Sequence, residues 1–214
     1  MRVRFDEQLK QLSSEMTHMG SMIENAIQDA VQAFLTQDIV TAKRIMSDDT
    51  LVDQEQKKIE NICFQLLIQQ QPVARDLRNI TAALKMVTDM ERIGDQAADI
   101  SELTVMMADS PYKLKTDNIR KMSAETIMML LQAVEAFVEK DRSKAEKVID
   151  HDDIVDDLFL KVKNELIDII RTEPDCGEQA ADLLMVSKYL ERIGDHATNI
   201  AEWVIFSINN EPLS

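Results

Sequence analysis

One twelve-residue segment occurs twice in the chain, and this duplication constrains the fold more than any other feature. Residues 91–102 read ERIGDQAADISE and residues 191–202 read ERIGDHATNIAE, which are identical at 8 of 12 positions without a gap. Six further pairs match upstream at one constant spacing: Phe34 with Phe137, Asp38 with Asp141, Ala42 with Ala145, Asp49 with Asp152, Val52 with Val155 and Asp53 with Asp156. The sequence therefore predicts two repeats of one structural unit, residues 1–109 and 110–214, joined near residues 109–113.

Each repeat is predicted to be helical, because helix-breaking residues are scarce and apolar residues recur with a helical period. The chain has only four glycines and four prolines. The first apolar stripe comprises Phe5, Leu9, Leu12, Met16, Met19, Ile23, Ala26, Ala30 and Phe34. We expect this helix to end near Thr36, Asp38 to cap a second helix over about 39–70, and Pro72 to precede a third over about 73–108. Pro174 marks the corresponding turn of the second repeat. The predicted fold is all-α, with two tandem antiparallel three-helix bundles, or one six-helix protein with pseudo-twofold symmetry.

Acidic residues interrupt the apolar stripes at equivalent places in both repeats. Asp49 and Asp95 are each 23 residues from Pro72, and Asp53 and Glu91 are each 19 residues from it. Residues equally far from the turn of an antiparallel helix pair lie at the same height, so these four carboxylates should face one another. In the second repeat, Asp152 with Asp195, and Asp156 with Glu191, are symmetric about the Glu173–Pro174 bond. Their inward-facing positions predict four carboxylates per repeat that need a counterion.

Metal binding is the leading interpretation of these carboxylates. Two like charges ~4 Å apart repel by about 4 kcal/mol at an effective dielectric constant near 20, which a multivalent cation would relieve. Oxygen ligands favour divalent or trivalent iron, zinc, manganese, magnesium or calcium. The predicted ligands are Asp49, Asp53, Glu91, Asp95, Asp152, Asp156, Glu191 and Asp195; weaker candidates are Asp99, Glu102, Glu202, His151 and His196. The alternative is that the acids form surface or inter-helix ion pairs with Arg92, Arg192, Arg75, Arg78 or lysine residues.

Gly94 and Gly194 each lie within the duplicated motif, inside a predicted helix, where glycine costs roughly 1 kcal/mol relative to alanine. Close approach of a neighbouring helix is the expected compensation. Asn199 replaces Asp99 in the second repeat, so the two sites need not match in metal number or affinity.

Charge and composition exclude several classes of function. A formal charge of −15 argues against nucleic-acid partners, which require clustered basic residues. No run of roughly 20 apolar residues predicts a membrane span, and we expect a cytoplasmic protein. Four dispersed glycines cannot form a phosphate-binding loop, and neither motif has the Glu-x-x-His pattern of bundle oxidases. We therefore expect no enzyme. Cys63 and Cys176 are expected to be reduced, buried thiols.

The ERIGD motif followed by A-x-x-I, present twice at a spacing of 100 residues in an acidic helical chain, resembles the PhoU family of phosphate-uptake regulators. The resemblance implies two three-helix bundles, metal clusters at the eight acidic residues on the bundle surface or in a groove, homodimerisation and a cytoplasmic location. It also implies regulation of a phosphate ABC transporter, through its ATPase subunit, and of a phosphate-sensing histidine kinase, so that uptake is restrained when phosphate is plentiful. Two alternatives remain: a metal-dependent, carboxylate-bridged enzyme, and a metal-free helical interaction scaffold.

Overall fold

The computed structural model describes residues 2–70, 73–107 and 117–209, and these residues form six long helices and no strand. The helices are α1 (Arg2–Thr36), α2 (Ile39–Gln70), α3 (Ala74–Met106), α4 (Asp117–Glu139), α5 (Arg142–Thr172) and α6 (Gly177–Ile208). The all-α prediction is confirmed, and the predicted ends of the first three helices agree with the structure to within about two residues. The role predicted for Pro72, the linker at 109–113 and the repeat boundary at 109/110 lie outside the described residues.

The turn between the first two helices of each repeat is built in the same way. Gln37 and Lys140 occupy equivalent positions, and both adopt a positive φ, 55° and 57° respectively. An aspartate follows each of them. The carboxylate of Asp38 accepts hydrogen bonds from the backbone N–H groups of Val40 and Thr41, at 3.0 and 3.1 Å. Asp141 likewise accepts one from the backbone N–H of Lys144 at 3.1 Å. The predicted N-cap at Asp38 is confirmed, and the duplication extends to the backbone conformation.

The other turn of the second repeat contains the predicted proline. Pro174–Cys176 form a short 3₁₀ turn between α5 and α6. Proline suits the first position of such a turn, because its missing N–H would have no partner there.

The two repeats share one hydrophobic core. In each repeat the three helices pack against one another, and α1, α3, α4 and α6 also pack between repeats, with α3 and α6 in the most extensive contact. α2 packs on α1 and α3, whereas α5 packs on α4, α6 and the short 3₁₀ turn, so these two helices lie on the outside. The core includes Met16 and Ile93 of the first repeat and Leu130 and Ile193 of the second. The helices that carry the duplicated motif are therefore side by side at the centre.

Neither the helices nor the cysteines depart from the sequence predictions. Within the described residues, no helix has both the length and the apolar composition needed to cross a bilayer. Cys63 and Cys176 are both buried and unpaired with another cysteine, as expected.

Candidate metal centres

Each repeat brings four carboxylates together across an outer and a central helix. We call Asp49 and Asp53 of α2 with Glu91 and Asp95 of α3 the first acidic cluster. The second acidic cluster is Asp152 and Asp156 of α5 with Glu191 and Asp195 of α6. The carboxylates are close enough to perturb one another: Asp95 and Asp53 act on Asp49, and Asp195 and Asp156 act on Asp152. The height matching deduced from the distance to each turn is therefore present in both repeats.

The two motif glycines permit this approach of the helices. A Cβ atom at Gly94 would lie 3.1 Å from Val52 Cγ1 and 3.7 Å from Asp49 Oδ1. A Cβ atom at Gly194 would lie 3.1 Å from Asp152 Oδ1 and 3.4 Å from Val155 Cγ1. Both contacts are tighter than ordinary packing, so the expectation that these glycines allow close helix approach is confirmed.

The expectation that the acidic side chains point into the bundle interior is wrong. Asp156 and Asp195 are exposed, and the other six members of the clusters are partly buried. The interior at this height is filled by apolar neighbours, including Val52, Ile93, Val155 and Ile193, which are all buried. The carboxylates lie beside these residues, along the grooves between α2 and α3 and between α5 and α6.

Partial burial and mutual repulsion raise the pKa values of the carboxyl groups. Burial, followed by the charges of Asp95, Asp53 and Asp99, raises the pKa of Asp49 from 3.8 to about 6. The pKa of Asp152 is likewise raised from 3.8 to about 6, by burial and then by Asp195, Asp156, Glu191 and Asp153. The pKa values of Glu91, Asp95 and Asp195 are also raised, with burial as the largest cause in each case. Both clusters therefore favour protons or another cation.

One basic residue enters the second cluster directly. Lys188 Nζ donates to both carboxylate oxygens of Glu191, one helical turn away, and also lies 5.4 Å from the centre of the Phe159 ring. Among the described residues, this is the single ion pair that engages any of the eight carboxylates. The alternative of structural ion pairs thus applies to one member of the two clusters. Lys188 is not among the residues predicted from the sequence, although its spacing of three residues from Glu191 is typical of an ion pair on a helix.

The two candidate histidines are bonded to carboxylates outside the clusters. His151 Nε2 lies 2.7 Å from Oε2 of Glu125 on α4. His196 Nδ1 lies 2.9 Å from Oδ1 of Asp89 on α3, and the Asn199 side-chain amide donates to the same oxygen at 3.4 Å. Asp89 and His196 are 107 residues apart, so no local sequence pattern could have indicated their pairing. A role of either histidine as a ligand stays a prediction.

The remaining weaker candidates differ in position. Asp99 is partly buried next to the first cluster. Its pKa is raised, first by burial and then by the charges of Asp95 and Glu102, and the positive charge of Arg192 offsets part of this increase. Glu102 of α3 and Glu202 of α6 are exposed. Of these three, Asp99 is therefore the weaker candidate whose charge acts on a member of a cluster, Asp49.

The donor set suits a hard cation, but it is not preassembled. Carboxylate oxygens are the preferred ligands of magnesium, manganese and iron, and the clusters carry an excess of them. Within the described residues, however, no three Asp, Glu, His or Cys side chains adopt an arrangement that would hold a metal ion. A pocket of about 180 Å³ adjoins Asp49 and is also lined by Arg44, Val52 and Gly94. Metal binding would thus require the carboxylates to rotate in grooves that are open to solvent.

Fold and clusters together define a duplicated helical-bundle protein with one acidic cluster per repeat. The PhoU domain family model matches residues 16–104 and 119–204, one match in each repeat. The chain belongs to the PhoU family.

Similar proteins match over nearly the whole chain. A Clostridium acetobutylicum protein named "Phosphate-specific transport system accessory protein PhoU homolog" is 38% identical, over 97% of this chain and 95% of its own length. A Caulobacter vibrioides protein of the same name is 33% identical, over 98% and 92% respectively. The crystal structure of PhoU from Pseudomonas aeruginosa superposes with a TM-score of 0.89 at 30% identity, covering 95% of this chain and 98% of that one. The phosphate transport regulatory protein PhoU of Streptococcus pneumoniae, at 24% identity and a TM-score of 0.87, supports the fold.

Proposed function

We propose that this protein is a non-enzymatic accessory regulator of phosphate uptake. It acts in the cytoplasm on a phosphate ABC transporter, through the ATPase subunit, and on a phosphate-sensing histidine kinase, and it restrains both when phosphate is plentiful. The observation that carries the proposal is the 38% identity, over 97% of this chain, to a relative named as an accessory protein of phosphate-specific transport. The coverage matters because it includes both repeats and both acidic clusters.

We further propose that each acidic cluster binds iron, zinc, manganese or magnesium. Asp49, Asp53, Glu91 and Asp95 would hold the ion of the first repeat, and Asp152, Asp156, Glu191 and Asp195 that of the second. A bound cation would neutralise carboxylates whose mutual repulsion, after burial, raises the pKa values of Asp49 and Asp152. It would also give a protein of charge −15 a means of contacting phosphate.

In this proposal the clusters act on the position of the outer helices. α2 and α5 are each attached to the rest of the protein on one side, and each donates two aspartates to a cluster. Ligation by residues of both helices of a pair would fix α2 against α3 and α5 against α6. The outer surfaces of these helices would then hold a fixed shape for a partner protein, and a homodimer would present two copies of them.

The proposal is tested by measuring partner binding and phosphate uptake. The tagged protein should retain the ATPase subunit and the kinase in pull-downs, and deletion of its gene should raise phosphate uptake in phosphate-rich medium. A variant with Glu91→Gln, Asp95→Asn, Glu191→Gln and Asp195→Asn should lose these effects. A matched control that neutralises the exposed acids Asp6, Glu7, Asp117 and Asp168 should keep them. Absence of both interactions, with unchanged uptake on deletion, would refute the proposal.

A metal-free helical scaffold is the second candidate function. It is favoured by the absence, within the described residues, of a ready-made group of three metal-binding side chains. Under this alternative, the same partners would bind equally well after extensive treatment with a chelator. The pull-down is therefore to be run with metal-loaded and metal-free protein.

A further inference from the structure

The two acidic clusters differ at equivalent positions of the repeats. Thr88 of the first repeat corresponds to Lys188 of the second, and Asp99 corresponds to Asn199. The first cluster therefore has a fifth acid next to it and no lysine at the position three residues before Glu91. The second has Asn199 in place of that acid, and a lysine bonded to Glu191. It also has the exposed Asp153 near Asp152, where the first repeat has Thr50. The duplication thus preserves the four carboxylates but not their electrostatic surroundings.

Lys188 is held in place from two sides. Its ammonium group contacts both oxygens of Glu191 and also lies over the ring of Phe159, whose counterpart in the first repeat is Gln56. The Glu191 side chain is 14% exposed and the Lys188 side chain 45%, so the carboxylate is shielded from water while the lysine remains partly in contact with it. Thr88, by contrast, donates its hydroxyl to the backbone carbonyl of Leu84 and leaves the first cluster without such a partner.

We propose that Lys188 serves as a built-in counterion of the second cluster, so that the two clusters bind metal ions with unequal affinity, the first more tightly. This inference rests on the proposed metal binding. Among the described residues no ion pair engages the carboxylates of the first cluster, and the positive charge of Arg92 acts on Glu91 and Asp95 only at longer range. At the second cluster a cation must displace the Lys188 ammonium from Glu191 or share the carboxylate with it, and both alternatives weaken binding. Over a range of metal concentrations, the first cluster would hold a metal ion while Lys188 still occupies Glu191 in the second cluster.

Calorimetric titration with Mn²⁺ can measure each cluster separately. A variant with Glu191→Gln and Asp195→Asn keeps only the first cluster, and one with Glu91→Gln and Asp95→Asn keeps only the second. We expect the first cluster to bind Mn²⁺ roughly 10- to 100-fold more tightly, the range associated with one charge-assisted hydrogen bond. Electron paramagnetic resonance of bound Mn²⁺ gives the stoichiometry independently of the heat signal.

Exchange of the two equivalent residues tests the role of Lys188 itself. In the variant that keeps only the second cluster, Lys188→Thr should strengthen Mn²⁺ binding at least about tenfold, and Lys188→Arg should leave it weak. In the variant that keeps only the first cluster, Thr88→Lys should weaken Mn²⁺ binding by a similar factor.

Two control variants separate other effects from that of Lys188. Asp99→Asn separates the effect of the fifth acid from that of the lysine. Lys10→Thr is the charge-matched control, because it removes one exposed positive charge from α1, which does not pack on α5 or α6. Circular dichroism verifies that each variant is folded.

Four results would overturn the inference. Equal affinities of the isolated clusters, or no effect of Lys188→Thr, would refute unequal loading but leave the proposed metal binding intact. Tighter binding of Mn²⁺ at the second cluster than at the first would contradict the proposed order of affinities. No binding of Mn²⁺, Zn²⁺ or Fe²⁺ at either cluster, in any of the variants, would refute both the inference and the proposed metal binding.

Discussion

Gly94 lies so close to Val52 that a Cβ atom at residue 94 would be 3.1 Å from Cγ1 of Val52, on the neighbouring helix. We expect Gly94→Ala to lower the free energy of unfolding by about 1–2 kcal/mol, because overpacking of α2 against α3 outweighs the higher helix propensity of alanine. Urea denaturation measures the difference. The matched control is Gly177→Ala at the start of α6, where no atom lies within 4 Å of the added Cβ. Equal stabilities of the two variants would show that the contact at Gly94 is not close.

Gly194 faces a different neighbour and should respond differently. The nearest atom to an added Cβ is Asp152 Oδ1, at 3.1 Å, and a carboxylate at a groove can rotate away more readily than a packed valine. We expect Gly194→Ala to cost less stability than Gly94→Ala, roughly 1 kcal/mol or less, but to weaken metal binding at the second cluster by displacing Asp152. Urea denaturation and Mn²⁺ titration of the same preparation test the two effects. A variant that binds Mn²⁺ as tightly as the parent protein would contradict this prediction.

These contacts show which parts of the structure the sequence could predict. Helix bounds, the Asp38 cap and the matching heights of Asp49 and Asp95 follow from local preferences and counting along two antiparallel helices. The extent to which the clusters are buried does not follow from the sequence. The spacing of apolar residues gives the direction of a side chain on its helix, but it does not show how much of the interior the neighbouring apolar side chains fill. The pairing of Asp89 with His196 could not be predicted either, since it depends on how α3 of one repeat packs against α6 of the other.

The raised pKa values predict an unusual pH dependence for the metal-free protein. Asp49 and Asp152 have pKa values near 6 in the folded protein and 3.8 ordinarily, so the folded state binds protons more tightly than the unfolded chain. Their contribution to stability therefore falls as the pH rises from about 4 to about 6, and the full penalty is present above that range. Solvent screening of these partly exposed groups limits the effect to roughly 1 kcal/mol per residue.

Thermal unfolding in the presence of a chelator measures this dependence. We expect the metal-free protein to lose stability between about pH 4 and about pH 6, and Asp49→Asn with Asp152→Asn to flatten the curve across that interval. Asp168→Asn, at an exposed position of α5, is the control and should leave the slope unchanged. An identical slope in the double variant and the parent protein would refute the assignment of the effect to these two aspartates.

The contact between His196 and Asp89 should couple the two repeats energetically. Asp89 is buried, with 7% of its surface exposed, and it contacts both His196 and Asn199 of the opposite repeat. We expect Asp89→Ala to lower the free energy of unfolding by about 1–3 kcal/mol, because it leaves polar groups at the interface without their acceptor. A double-mutant cycle with His196→Ala should give a coupling energy of roughly 0.5–3 kcal/mol. The exposed pair of Arg171 and Asp168 should give less than about 0.5 kcal/mol.

Metal removal separates the metal-binding proposal from the metal-free scaffold. An ion that binds only the folded state stabilises it by about 2.7 kcal/mol at a concentration of 100 times its dissociation constant. For a chain of this length, such a gain raises Tm by roughly 5–10 °C. We expect Mn²⁺ to raise Tm by this order and a chelator to reverse the change.

The double variant Asp49→Asn with Asp152→Asn should respond differently from the parent protein. Its Tm in chelator should be higher, because mutual repulsion is reduced, and Mn²⁺ should raise it little further. A Tm that neither Mn²⁺ nor chelator changes would leave the helical scaffold as the function, since the carboxylates would then be stable without a cation.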